Sequence, residues 1–134
     1  MTGSKVCPVV LRQRSAIQLL AFRHPIAGLQ LVKGSIEAGE GIEAAAIREL
    51  REEAGIADGR ASGGYGSGLI AGTPWHFVRI STPELPDAWI HHCADDGGHA
   101  FAFFWHPLAD EADPGLWHQH FMTALIFVRS AVGV

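Results

Sequence analysis

Three glutamates, Glu49, Glu52 and Glu53, stand at i, i+3 and i+4 within the stretch from Gly34 to Ile56, which reads GSIEAGEGIEAAAIRELREEAGI. On a helix this spacing gathers three negative charges on one side, where like charges destabilise by roughly 0.2–0.5 kcal/mol per pair. A sequence shaped only for stability would avoid it. A divalent cation removes the conflict, because a hard metal takes carboxylate oxygens and converts repulsion into shared coordination. Magnesium suits such a cluster on an exposed helix face, with manganese as a substitute, since it takes one or two carboxylates plus waters and substrate phosphates. Arg48 precedes Glu52 by four residues and can steady it, although basic before acidic is the weaker helical order. The bland alternative is a solvated acidic face, and the glycines that flank the stretch weigh against it.

Gly34, Glu40, Arg48, Glu49, Leu50, Glu52, Glu53, Gly55 and Ile56 match, position for position, the pattern GX5EX7REUXEEXGU, with U a bulky aliphatic residue. The chain therefore resembles the Nudix hydrolases, whose box this is. The resemblance implies an α/β/α sandwich with a mixed β-sheet, a box helix and a C-terminal helix. It further implies a loop–helix–loop that binds divalent metal and cleaves a diphosphate linked to another moiety. It makes Glu52 and Glu53 metal ligands, with the Gly34 carbonyl as a further candidate and Glu49 as either ligand or base. Glu49, Glu52 and Arg48 form the implied catalytic set. Glu40 is a structural or metal-supporting acid, against the simpler reading that it complements the helix dipole. The chemistry is consistent, because a charged diphosphate repels an attacking hydroxide, so its hydrolysis needs cations, an activated water and a base.

The elements around the box must position it. Gly41 to Ala54 favours helix, with Ala44, Ala45, Ala46 and Leu50, no proline, and Gly55 where a helix C-terminus wants glycine. Ile47, Leu50 and Ala54 share an arc as a core-facing stripe. Upstream, Val6 to Leu11 and Ala16 to Phe22 read as the two strands of a hairpin, and Leu29 to Val32 as a short extended run into the box. Many family members carry proline before the box's Lys-Gly pair, where this chain has Val32. Lys33, Gly34 and Ser35 do not make a P-loop, since the glycine spacing fails.

Downstream, Ala57 to Gly68 is rich in glycine and serine and reads as turns or a flexible edge. Leu69 to Ala71 and His76 to Ser81 are expected strands around a Gly72, Thr73, Pro74 turn, and Ala88 to Cys93 with His99 to His106 a hairpin turning at Asp96-Gly97. A last helix is expected from about Gly115 to Ala131, with Asp110, Glu111 and Asp113 as its acidic N-terminal flank. Phe121, Leu125, Val128 and Val132 form the face that packs on the sheet.

With 134 residues, 48% hydrophobic and 18% charged, the chain is sized for a single domain over 1–134 with a true core. A net charge of −4 with scattered basic residues disfavours duplex nucleic acid. Cys7 and Cys93 lack CxxC spacing, and no apolar run is long enough to span a bilayer, so a soluble cytoplasmic protein without a membrane partner is expected. The oligomeric state stays open, a homodimer included.

Other residues compete for roles. Glu84, Asp95 and Asp96 are candidates for a carboxylate added from a later loop, although a turn alone explains Asp96. The eight histidines do not carry a zinc spacing: His91 and His92 face opposite sides of a strand, and His118 and His120 would stand about 200° apart on a helix. Trp75 and Trp89 are weak candidates for stacking on a nucleoside. The proline and tyrosine that mark particular substrate classes fit Pro74 and Tyr65 poorly. The expected partner is a small nucleotide-type molecule: a nucleotide, sugar-nucleotide or dinucleoside polyphosphate. Two alternatives are a nucleotide-sensing binding module without turnover and a hydrolase of a non-nucleotide diphosphate. Few Lys or Arg follow Arg60, which disfavours a highly phosphorylated inositol.

Overall fold

The computed structural model describes residues 3–94 and 97–134, so Asp95, Asp96 and the turn they were expected to make lie outside the described residues. The described chain folds as β1 (Lys5–Val9), β2 (Leu11–Gln13), β3 (Ile17–His24), β4 (Gly28–Gln30), β5 (Gly34–Ser35), α1 (Ile42–Ala54), β6 (Arg60–Ile70), β7 (Thr73–Ser81), β8 (Trp89–Cys93), β9 (His99–Pro107) and α2 (Gln119–Val132). The strands form two sheets, one in the order β5-β1-β7-β6 and one in the order β2-β3-β9-β8, with β4 added to β3. The first sheet is mixed, because β1 runs parallel to β7 while its other pairings are antiparallel.

The α/β/α layering follows from strands that are apolar on both faces. Val6, Leu20, Phe22, Val78 and Phe103 enter one core with Ala46 and Leu50 of α1. Cys7, Leu19, Ala21, Phe77 and Trp75 enter the other with Phe121, Leu125 and Val128 of α2. Neighbours along one strand thus serve opposite cores, which is why these strands read as near-continuous hydrophobic runs. Of the expected α2 face, Phe121, Leu125 and Val128 are buried and Val132 partly so, and Ala124 joins them.

Four local expectations are corrected or sharpened. The first two strands do not form one hairpin: β2 pairs with β3, while β1 crosses into the other sheet and lies along β7. Each half of that apolar run finds a different partner, and only the folded chain decides which. Of the turns or flexible edge expected after the box, the structure has the edge: most of the glycine-rich stretch is β6, the long edge strand paired with β7. Its glycines fall at two register shifts, with Gly63 at φ 146 and Gly66 at φ 86, so they mark β-bulges within a paired strand. The turn into β7 is Ala71 and Gly72, leaving Thr73 and Pro74 inside the strand.

The last helix begins at Gln119, after His118 as N-cap. The residues before it spend their backbone groups elsewhere: Leu29 N–H donates to the Leu116 carbonyl at 2.9 Å, and His118 N–H donates to the Leu29 carbonyl at 3.2 Å. Asp113 caps that turn by accepting from Gly115 N–H at 2.8 Å, and no acidic residue lies in the first turn of α2. Since His118 is not helical, its ring stands 4.9 Å from that of His120 rather than across a helix from it. Among the described residues no helix is long and apolar enough to cross a membrane.

Candidate active site

Helix α1 starts after Gly41 and stops at Gly55, whose left-handed backbone (φ 74) lets its N–H donate to the Arg51 carbonyl at 3.0 Å. Leu50 and Ala54 face the core and are buried, with Ile47 partly buried beside them. The glutamates are not all on an exposed face, as the helical spacing suggested: Glu49 is buried and Glu53 half-buried, while Glu52 is exposed. The reason is the loop before the helix, which folds back over α1. Gly34 lies so close to Glu49 that a Cβ added to Gly34 would fall within the Glu49 carboxylate. Any larger residue there would push the Glu49 carboxylate out of its present position.

Arg48 organises the solvent side of the cluster. Its Nε and Nη2 donate to the two carboxylate oxygens of Glu40 at 2.7 and 2.9 Å, a bidentate pair. Its Nη1 donates to Glu49 at 2.9 Å and to Glu52 at 3.0 Å, and its Nη2 also reaches the Ser35 carbonyl at 2.9 Å. The expected steadying of Glu52 by Arg48 is therefore present. Glu40 serves as a structural anchor: hydrogen bonds from Arg48, then from the Glu37 N–H, hold its carboxyl down at about 2. The same contacts, Glu40 first, push the Arg48 guanidinium further up.

Glu49 and Glu53 lie one helical turn apart on the inner side of the helix. Burial raises both carboxyls, and for Glu53 the charge of Glu49 adds to it, bringing Glu53 up to about 9. Burial and the neighbouring charge thus both disfavour ionisation here, a conflict that a cation would relieve. Lys33 tempers this: its charge favours the ionised form of Glu53, and its own ammonium is pushed down by burial, then by Lys5. Among the described residues no three His, Cys, Asp or Glu side chains converge as a ready metal cage. The donor set nevertheless fits a magnesium-like ion. Two carboxylates beside an adjacent backbone are what such an ion takes when waters complete its shell.

A cavity of about 280 Å³ opens beside Glu53, lined also by Lys33, Gln30, His24, His99 and Phe101. None of its walls except Glu53 was assigned a role from the sequence. His24, Gln30, His99 and Phe101 come from β3, β4 and β9, whose pairing brings them together, and Lys33 follows β4.

The sequence candidates for stacking lie elsewhere. Trp75 is buried in the core under α2, with its ring 5.3 Å from that of Phe121. Trp89 stacks on Phe103 at 5.0 Å and donates from Nε1 to the Ala54 carbonyl at 3.0 Å, so it supports the end of α1. Neither ring lines the cavity beside Glu53. Glu84 is exposed and pairs with Arg14 at 3.5 Å.

The family model described as the NUDIX domain matches residues 1–125, the box included. The chain belongs to the Nudix family. With that assignment stands the enzyme class its box implied, a pyrophosphohydrolase acting on phosphoric anhydrides. A search of curated proteins returned no match.

Solved structures share the fold. A Nudix hydrolase from M. smegmatis superposes with a TM-score of 0.64 at 17% identity, covering 97% of this chain and 85% of that one. An Ap4A hydrolase from C. elegans gives 0.62 at 18% identity, covering 97% of each chain. An ADP-ribose pyrophosphatase from Streptococcus suis gives 0.61 at 15% identity, covering 95% of this chain and 90% of that one. At these identities the likeness is one of fold.

Proposed function

We propose that residues 1–134 form one Nudix domain that hydrolyses the diphosphate linkage of a nucleoside diphosphate joined to another moiety, with magnesium, or manganese in its place, as cofactor. The observation that carries this reading is the pairing of buried Glu49 with half-buried Glu53 one helical turn on, Glu49 pressed by Gly34 and Glu53 opening to a cavity. Neighbours of the same fold that carry the names ADP compounds hydrolase, Ap4A hydrolase and ADP-ribose pyrophosphatase support a nucleotide substrate.

In this proposal Glu49, Glu52, Glu53 and the Gly34 carbonyl would hold the metal once the three carboxylates turn toward it. A bound divalent cation supplies neutralisation of phosphate oxygens and a more acidic water. Arg48 Nη1 bridges Glu49 and Glu52, which keeps both carboxylates turned toward the same side, and the proton of the attacking water passes to that pair. Glu40 does not touch substrate; it positions Arg48 through the bidentate contact.

The test is magnesium-dependent product release across nucleoside triphosphates, sugar-nucleotides and dinucleoside polyphosphates, with Glu53→Gln alongside after circular dichroism confirms its fold. Turnover of one substrate class, reduced in the variant by roughly a hundredfold or more, is the expected result. Tight nucleotide binding without turnover across the panel would instead make the protein a sensor.

A further inference from the structure

Helix α2 runs along one face of β7 and stops before that face does. Trp75 meets Phe121 at 5.3 Å and Phe77 stacks on Phe127 at 4.3 Å, while Arg79, next on the same face, shares a cavity of about 310 Å³ with Ala131 and Val132 at the helix end. Leu11 and Ile17, from the β2–β3 pair, add an aliphatic wall. Tyr65 of β6 also lines the cavity, and a β-bulge carries it: the register steps from Gly64 opposite Val78 to Gly66 opposite Phe77, so Tyr65 is the extra residue. Opposite Arg79 stands Gly63, which has no side chain to pair with it, and a Cβ added to Gly63 would meet nothing within 4 Å. Arg79 is exposed, and neither its guanidinium nor the Tyr65 hydroxyl has a hydrogen-bond or ion-pair partner among the described residues. The other polar groups of the lining are spent. Arg12 donates to Gln18 and Asp87 at 2.6 and 2.9 Å and lies over the Trp105 ring, and Gln13 Nε2 donates to the Arg14 carbonyl at 3.0 Å.

We propose that this cavity is a second ligand site, for a small monocarboxylate with an aliphatic body: Arg79 and Tyr65 take the carboxylate, and Leu11, Ile17 and Val132 take the body. It shares no lining residue with the cavity beside Glu53 and stands apart from the hydrolase reading. Charge chooses the head group. One unspent guanidinium matches one negative charge and grips a carboxylate through two parallel hydrogen bonds, with the Tyr65 hydroxyl as a further donor. A phosphate monoester brings close to two charges to a chain already at −4. A wholly apolar ligand would strip water from Arg79 and Tyr65 and give them no partner, which costs more than its contacts return. The end of α2 sets the orientation, because the last carbonyls of a helix repel an anion. The carboxylate therefore lies toward β6 and β7, and the body lies against Val132. The volume is at the lower end of small-molecule sites, so the body is a short one.

Tyr65 is the one tyrosine of the chain, so a carbon-13 label on tyrosine rings gives an NMR signal from this cavity alone. The test titrates the labelled full chain with hexanoate, which has both charge and body, with acetate, which has the charge, and with hexanol, which has the body. Expected is a saturable shift of the Tyr65 ring signals with hexanoate, and dissociation constants about tenfold higher or more for acetate and for hexanol. Arg79→Gln, its fold checked by circular dichroism, should weaken hexanoate about tenfold, to the level of hexanol, as loss of a charged hydrogen-bond donor predicts. The wild-type series decides the matter by itself if the variant does not fold. No saturable shift with hexanoate overturns the site. Hexanol binding as tightly as hexanoate reduces it to an apolar cleft, and acetate binding as tightly reduces it to a surface arginine; either result overturns the proposal, as does hexanoate binding unchanged in a folded Arg79→Gln.

Discussion

Arg48 donates hydrogen bonds to three carboxylates and a carbonyl and pairs with a fourth carboxylate, Glu37, at 3.5 Å; Glu40 is the partner that fixes it. Glu40 lies eight residues earlier in the chain, on the loop rather than the helix, so its contact ties one to the other. The Glu40 carboxyl titrates at 4.5 when the chain is unfolded and at about 2 when folded, because the folded state donates hydrogen bonds to its charged form. The stabilisation it contributes is present above pH 4.5 and lost as the pH falls through about 2. In Glu40→Gln that contribution should be missing at neutral pH already, and the decline in stability between pH 5 and 2 should be shallower than in the wild type. Urea denaturation at stepped pH measures both, and parallel profiles for the two proteins would remove Glu40 from the role of anchor. At this scale the sequence was informative about charge and spacing: Glu49, Glu52, Glu53, Arg48 and Gly34 all lie together at one end of α1. It was silent about Lys33, Gln30, His24 and His99, whose types carry no pattern until β3, β4 and β9 are paired.

Helix α1 ends against strand β8. The last carbonyls of a helix have no partner within it, and here two of them are met from β8: Ala54 by Trp89 Nε1 at 3.0 Å and Glu52 by His91 Nε2 at 3.0 Å. The turn that carries Glu52 and Glu53 is therefore held by the strand as well as by its own hydrogen bonds. Trp89→Phe keeps a ring to stack on Phe103 but removes the donor to Ala54, and should cost about 1 kcal/mol. A urea midpoint unchanged from wild type would show that this bond does not stabilise the helix end. Element by element, the helices and the β8–β9 hairpin were legible because each has its own periodicity and stops. Strand β6 was not, since a strand built from glycine and serine shows no side-chain alternation and exists through its backbone pairing with β7. The crossing of β1 into the other sheet was equally hidden, because an apolar run says that it is buried but not beside which strand.

The two cores lie on opposite faces of shared strands, so neither can be lost alone. Leu50 anchors α1 in one and Leu125 anchors α2 in the other, both almost fully buried. Leu50→Ala and Leu125→Ala should each cost about 3 kcal/mol and leave a single cooperative unfolding transition. A biphasic transition in either variant would mean that the layers unfold separately. The sequence by itself determined the family, the box helix and the acidic cluster that calls for a cation, since those depend on residue type and on spacing within one short stretch. Only the tertiary structure decided how deep Glu49 and Glu53 sit, that Gly34 presses on Glu49, and that an aromatic cavity opens beside Glu53. Those features arise where segments far apart in the chain are packed together, and burial, which sets both the carboxyl pKa values and the shape of the cavity, is a property of that packing.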